Sequence, residues 1–243
     1  QESWFALGRL LTHSSGEPVL LSWGGSMFEY LMPLLVMPSY ADTLLANPCA
    51  AAVTRQIDYA RQCRVPWGIS ESAYNAVDVG GMYQYRSFGV PGLGLRRGLA
   101  ADLVVAPHAT ALALLVAPHE ATRNLLALKD LGVLGQFGFF EAMDYTPTRL
   151  RRGEAFALVR SFMAHHQGMS LLALADAALG RHMRRRFAAE PLFAATLQLL
   201  HERVPRRTAA YVQSTELADS RAVGEVEEMP VRVYTTATTP WPG

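Results

Sequence analysis

Residues 99–116 and 161–179 are each of helical length and apolar on almost every side, the first interrupted only by Asp102, His108 and Thr110 among its hydrophobic and small residues. A helix with no polar face must be covered all round. The segments beyond them differ. Residues 120–131 set leucines at 125, 126 and 128 between charges, and residues 191–203 are likewise amphipathic. Buried inner helices paired with outer helices that wet one face produce this alternation in an α/α toroid, and a bundle with a large core produces it too. Residues 42–64 add a helix with Asp42 as a capping candidate, apolar side chains at Leu45, Val53 and Ile57, and Pro66 just past its end. Six or seven helices between Met27 and about Leu200, with no internal repeat, predict an all-α fold.

Half of the 243 residues are hydrophobic, enough for a large core. Twenty-two basic side chains stand against 21 acidic ones without a long like-charged run, which argues against nucleic acid as a partner. The longest apolar stretches, 31–37 and 103–117, fall short of the ~20 residues of a membrane-spanning helix. The segment is therefore expected to be soluble in itself. The N-terminal Gln1-Glu2-Ser3-Trp4 has no features of a signal peptide and reads as the cut end of a longer chain. Cys49 and Cys63 fall on one helix, roughly 21 Å apart at 1.5 Å per residue, so two free thiols are expected. No cofactor is called for.

The loops carry the functional signal. Residues 67–97 and 132–153 are long, rich in glycine, and contain Trp67, Tyr74, Tyr83, Tyr85, Phe88, Phe137, Phe139, Phe140 and Tyr145, a composition that fits ordered walls of a site. Glycoside chemistry needs two carboxyls across a cleft. Glu71, in Ile69-Ser70-Glu71-Ser72, and Glu141, in Phe139-Phe140-Glu141-Ala142 with Asp144 three residues on, are the candidates. The plainer alternative makes Glu71 part of a helix cap at Ser70 and Glu141 a solvated loop acid. In Ser22-Trp23-Gly24-Gly25-Ser26, the glycines let backbone approach a ligand and Trp23 offers a flat face for a sugar. Ser26 and Glu29 also have the spacing of a capping box. In Ala164-His165-His166-Gln167-Gly168, the two histidines point about 100° apart on a helix, which is wrong for a metal pair; one of them with Gln167 suits sugar hydroxyls, or sits satisfied in the core. No phosphate-binding loop and no Gly-x-Ser-x-Gly elbow is present.

Taken in order, residues 20–33 around Ser22-Trp23-Gly24-Gly25-Ser26, residues 66–72 around Trp67-Gly68-Ile69-Ser70-Glu71, Phe88-Gly89-Val90-Pro91-Gly92-Leu93-Gly94-Leu95, and Met163-Ala164-His165-His166-Gln167-Gly168-Met169-Ser170 resemble the glycoamylase-like domain of cyclic β-1,2-glucan synthases. The resemblance covers roughly residues 2–205. It implies an (α/α)6 toroid, of which six or seven helices are about half, with a short β-like tail. Residues 1–204 would form the C-terminal half of that toroid, 205–229 a linker, and 230–243, with the alternating Val231-Arg232-Val233-Tyr234, the start of a phosphorylase-like carbohydrate domain. The implied activity is retaining transglycosylation that closes linear β-1,2-glucan into a ring, with Glu71 as general acid/base and Glu141 as nucleophile. Trp23, Glu29, Trp67, Tyr74, Tyr85, Asp144, Tyr145, His165, His166 and Gln167 would bind the glucan, and no metal takes part. The partners implied are the glucan and the remaining domains of a parent polypeptide held at the cytoplasmic face of the bacterial inner membrane. A glucan hydrolase and a non-catalytic glucan-binding scaffold are the alternatives. A half toroid would leave apolar helix faces bare.

Overall fold

The computed structural model describes residues 8–9, 11–14 and 17–203; the linker and following domain expected over 205–243 lie outside the described residues. Among the described residues helices dominate, but nine short strands thread between them, so the all-α expectation is corrected to a helix-rich fold with small sheets. In order, strands β1 (Leu11–Ser14) and β2 (Glu17–Leu20) form a hairpin ahead of helix α1 (Met27–Leu31). Helix α2 (Ala46–Cys63) follows, then the hairpin β3 (Ser72–Val77) and β4 (Tyr83–Arg86). Strand β5 (Val104–Val105) leads into α3 (Pro107–Leu112) and α4 (Pro118–Asp130). The small strands β6 (Leu134–Gly135), β7 (Gly138–Phe139), β8 (Ala142–Asp144) and β9 (Ala157–Val159) precede α5 (Ala164–Leu179), α6 (His182–Ala189) and α7 (Ala194–Leu197).

Helix α2 shows how sequence becomes element. Its buried Cys49, Ala52, Val53, Gln56 and Ala60 recur at helical spacing and form the stripe that faces the core. It starts later than its sequence pattern suggests. Asp42 takes a positive φ in the preceding turn, and Thr43 Oγ1, not Asp42, accepts from the Ala46 amide at 3.2 Å. Arg64 in the left-handed region ends it ahead of Pro66. Both cysteines are free.

The helix expected over 99–116 is broken for an identifiable reason. Pro107 occupies the first position of α3, where a missing N–H is harmless, and Ala106 before it is extended, as a residue ahead of proline prefers. Upstream, Val104 and Val105 pair with Asp144 and Met143, making β5-β8-β9 a three-stranded antiparallel sheet. Asp102 is drawn out to the Arg86 and Arg149 guanidiniums. The segment expected as one helix over 191–203 is likewise split, into a 3-10 turn, α7 and a second 3-10 turn.

Most of α1, α2 and α3 packs into one core with Trp67, Ile69 and Leu93; Val105, Leu128, Val133 and Met143 form a second core beneath β7 and β8. Helix α5 buries His166, Met169, Ala173 and Asp176 on one stripe. Among the described residues its other side is uncovered: Leu171, Leu174 and Leu179 are 68, 48 and 66% exposed. Among the described residues no helix is long and apolar enough to cross a membrane.

Candidate active site

Residues 67–70, a non-helical run leading to Glu71, are gripped from both sides by buried amide side chains. Gln56 on α2 accepts from the Ile69 amide at 2.7 Å and donates to the Ile69 carbonyl at 2.8 Å. Asn124 on α4 accepts from the Trp67 amide at 3.3 Å and donates to the Trp67 carbonyl at 2.8 Å, while Thr110 donates to that same carbonyl at 3.0 Å. Ser70 caps no helix of its own; its Oγ accepts from the Phe28 amide of α1 at 3.1 Å. Sequence reasoning missed these clamps, because nothing local marks a mid-helix Gln or Asn as a partner for backbone far along the chain.

Glu71 therefore enters the hairpin on a fixed backbone. In β3 and β4, Ala73 stands opposite Tyr85, which brings the Tyr85 hydroxyl 3.5 Å from Glu71 Oε2. Burial, then the nearby Glu29 charge, push the Glu71 carboxyl above its ordinary value, against the opposing influence of Tyr85 and His166. Glu141, at the entry to β8, is buried: its amide donates to the Ser161 carbonyl at 3.0 Å, and its Oε1 accepts from the Ala73 amide at 3.2 Å and lies 2.8 Å from His166 Nδ1. Its Oε2 has no hydrogen-bond partner among the described residues. The solvated-acid alternative is excluded by this burial.

His166 completes the link, with Nε2 3.5 Å from the Tyr85 hydroxyl. The imidazole of His108, fully buried, stacks on it at a centroid distance of 3.6 Å and an interplanar angle of 11°. Burial first, then His166 and His165, hold His108 well below the usual histidine value, so it is neutral. Its two ring nitrogens have no partner among the described residues. His165, off the buried stripe, is exposed, 4.0 Å from the His166 ring and edge-on to Tyr85 at 6.2 Å. Gln167 donates to the Phe139 carbonyl at 3.0 Å. A cavity of about 330 Å³ takes its polar lining from Glu141, His108, His166, Gln167 and Ser170 and its apolar lining from residues that include Phe140 and Leu171.

Other expected sugar contacts are committed elsewhere. Trp67 is 8% exposed and packed in the main core, so its indole offers no stacking face. Glu29 is the capping-box acid: its carboxylate accepts from the Gly24 and Ser26 amides and the Ser22 and Ser26 hydroxyls at 2.8–3.1 Å. Asp144 is fully buried, bound by Arg149 and by the Asn75 and Thr146 amides at 3.0 Å each. Tyr145 packs against the second core beside Phe156, and the Tyr74 ring is engaged by Phe88 and by the Arg86 and Arg149 guanidiniums at 5.5 and 4.9 Å. Trp23 is 69% exposed on its loop. The glycines beside it are in close contact with the backbone of a second loop. Gly25 holds a φ of 66°, and a Cβ on Gly89 would overlap the Gly24 carbonyl, because the loops 22–25 and 89–95 are hydrogen-bonded main chain to main chain.

The Glycoamylase family model, described as a glucoamylase, matches residues 1–188. The chain belongs to the Glycoamylase family. Over 205 residues it is 44% identical to the cyclic β-(1,2)-glucan synthase NdvB of Rhizobium meliloti, covering 84% of this chain and 7% of that protein. In fold it is similar to an endo-β-1,2-glucanase from Chitinophaga pinensis, at a TM-score of 0.59 and 16% identity over 81% of this chain and 47% of the other. A β-1,2-glucanase from Parabacteroides distasonis gives a TM-score of 0.55 at 16% identity, over 78% of this chain and 26% of the other. The chain thus spans a small fraction of the synthase and under half of the glucanases. As a Glycoamylase member it is a carbohydrate-active domain of glycoside hydrolase type, related to glucan-processing proteins.

Proposed function

We propose that the chain is the transglycosylating domain of a cyclic β-1,2-glucan synthase, with Glu71 as general acid/base and Glu141 as nucleophile. The observation that carries the assignment is the contrast between the two carboxyls. Glu141 is fixed through one oxygen by a backbone amide and an imidazole, leaving Oε2 unengaged among the described residues. Glu71 is partly desolvated beside another acid and so retains its proton to higher pH. In the first step Glu71 protonates the glycosidic oxygen as Glu141 Oε2 bonds to the anomeric carbon and the leaving chain departs. In the second, the Glu71 carboxylate takes the proton of an incoming sugar hydroxyl, whose oxygen displaces Glu141 with net retention. A hydroxyl from the same glucan closes a ring; water gives a linear product.

On this reading Trp23, Tyr85, His165 and Gln167 meet the glucan, and the glucan and the other domains of the parent polypeptide are the partners. Residues 1–204 form the working domain, 205–229 a linker and 230–243 the start of the next domain. The parent's own anchors hold it at the cytoplasmic face of the inner membrane. A hydrolase with the same pair is the second reading, favoured by the likeness to two β-1,2-glucanases.

The test is Glu71→Gln and Glu141→Gln in the native polypeptide, given linear β-1,2-glucan. Each is expected to lower turnover by about 10²-fold or more while glucan is still bound. Unchanged turnover in either variant defeats the assignment, and linear products in place of rings select the hydrolase.

A further inference from the structure

We infer that Tyr85 is a proton relay between Glu71 and His166, so that the acid/base carboxyl and the imidazole holding the nucleophile share one proton. The inference rests on the roles proposed above for Glu71 and Glu141. The Tyr85 hydroxyl is 3.5 Å from both Glu71 Oε2 and His166 Nε2, and His166 Nδ1 is 2.8 Å from Glu141 Oε1. The two longer contacts are typical of catalytic hydrogen bonds that tighten once substrate is bound.

The donor inventory leaves two arrangements. A Glu141 carboxylate only accepts, so His166 Nδ1 carries a hydrogen and Nε2 is the variable site. In the first arrangement the imidazole is neutral, Nε2 accepts the Tyr85 O–H, and the Tyr85 oxygen accepts the proton of the Glu71 carboxyl. In the second, that proton has passed to the Tyr85 oxygen while the tyrosine's own proton has passed to Nε2. Glu71 is then a carboxylate, Tyr85 still has one proton, and His166 is an imidazolium against Glu141. The total charge of the four groups is the same in both.

The surroundings suit such an exchange. Burial, followed by the Glu71 and Glu141 charges, raises the Tyr85 hydroxyl well above its ordinary value, so it passes a proton without resting as phenolate. The groups facing His166 are Glu141, Tyr85, neutral His108 on its stacked face, and His165, which burial and His166 itself hold below the usual value. Glu29 faces Glu71 and favours its protonated form. As the Glu141 charge is consumed in forming the glycosyl ester, an imidazolium at His166 loses its counter-ion, and its proton is driven through Tyr85 to Glu71. Attack by the nucleophile and protonation of the leaving group are thereby coupled.

The test is an NMR titration of the full chain with ¹⁵N-labelled histidine and ¹³C-carboxyl-labelled glutamate. In the wild type, His166 Nε2 and the Glu71 carboxyl are expected to show a shared inflection, as coupled sites do. Tyr85→Phe should remove the Glu71 step from the His166 curve, and Glu71→Gln should remove it with Tyr85 in place. If Tyr85→Phe does not fold, the Glu71→Gln curve decides. An unshared wild-type titration, or a Glu71 step that persists in the His166 curve of Tyr85→Phe, overturns the relay. Turnover separates this failure from that of the proposed function. An unshared titration in the wild type with Glu71→Gln inactive defeats only the relay, whereas a shared wild-type titration with Glu71→Gln fully active defeats the catalytic assignment on which it rests.

Discussion

Gln56 offers the sharpest test of how the site is held. Its side chain is 1% exposed and makes two hydrogen bonds to Ile69, two residues before Glu71. Leucine has a similar volume and neither hydrogen-bonding group, so Gln56→Leu isolates the polar part of the contact. The Ile69 carbonyl keeps its second donor, the Met27 amide at 3.0 Å, but the Ile69 amide loses the partner it has. An orphaned buried N–H costs about 1–3 kcal/mol, and the second lost bond about 1 kcal/mol, offset in part by no longer burying an amide. The net expectation is a loss of about 2–3 kcal/mol. At about 2–4 °C per kcal/mol for a chain of this size, that lowers the Tm by roughly 4–12 °C. Urea unfolding followed by circular dichroism gives the free energy, and hydrogen exchange should show the Ile69 amide deprotected ahead of α2. A loss below about 0.5 kcal/mol with an unchanged m-value would refute the clamp.

Asp144 should govern acid stability. Burial alone would raise its carboxyl, but Arg149 and the Thr146 and Asn75 amides outweigh that and hold it below its ordinary value. The stability it confers is complete above the unfolded value, near 4, and is lost as pH falls through the lower folded one. Asp144→Asn should flatten that acid limb in unfolding curves taken between pH 5 and 2. Leu171→Glu on the bare face of α5 should change stability by under about 0.5 kcal/mol and reduce self-association in light scattering; a large loss of stability would mean the face is covered. Cys63 should react with a thiol reagent in the native chain while Cys49 does not, since burial pushes the Cys49 thiol up to about 12. Equal rates would refute this.

The helices were legible where apolar spacing and a stop coincided, as in α4 and α5, and the Ser26–Glu29 capping box followed from spacing alone. The strands were not, although Gly80-Gly81 between Tyr74 and Tyr83 is a hairpin signal; β3 buries its first two residues and exposes Val77 at its end, and β4 is only four residues long, so neither alternates visibly. Glu71 and Glu141 stood out as acids in aromatic loops, and His166 as a polar side chain in an apolar helix; the structure brings the three together. Trp67 and Asp144, in the same loops, were misread, since the composition of a loop does not say which side chains turn inward. His108 sat inside an apolar run, and only packing reveals it as the plate behind His166.

The main-chain seam between the loops 22–25 and 89–95 also sets an order of assembly. Joining backbones about seventy residues apart costs roughly 4 kcal/mol of chain entropy beyond a constant, and no side chain on the glycines helps to repay it. Helix α2 and its clamp on Ile69 can form over a much shorter span, so the segment leading to Glu71 is expected to be in place before the loop 22–25 docks on 89–95. That seam should also be the part that opens first when the folded chain breathes.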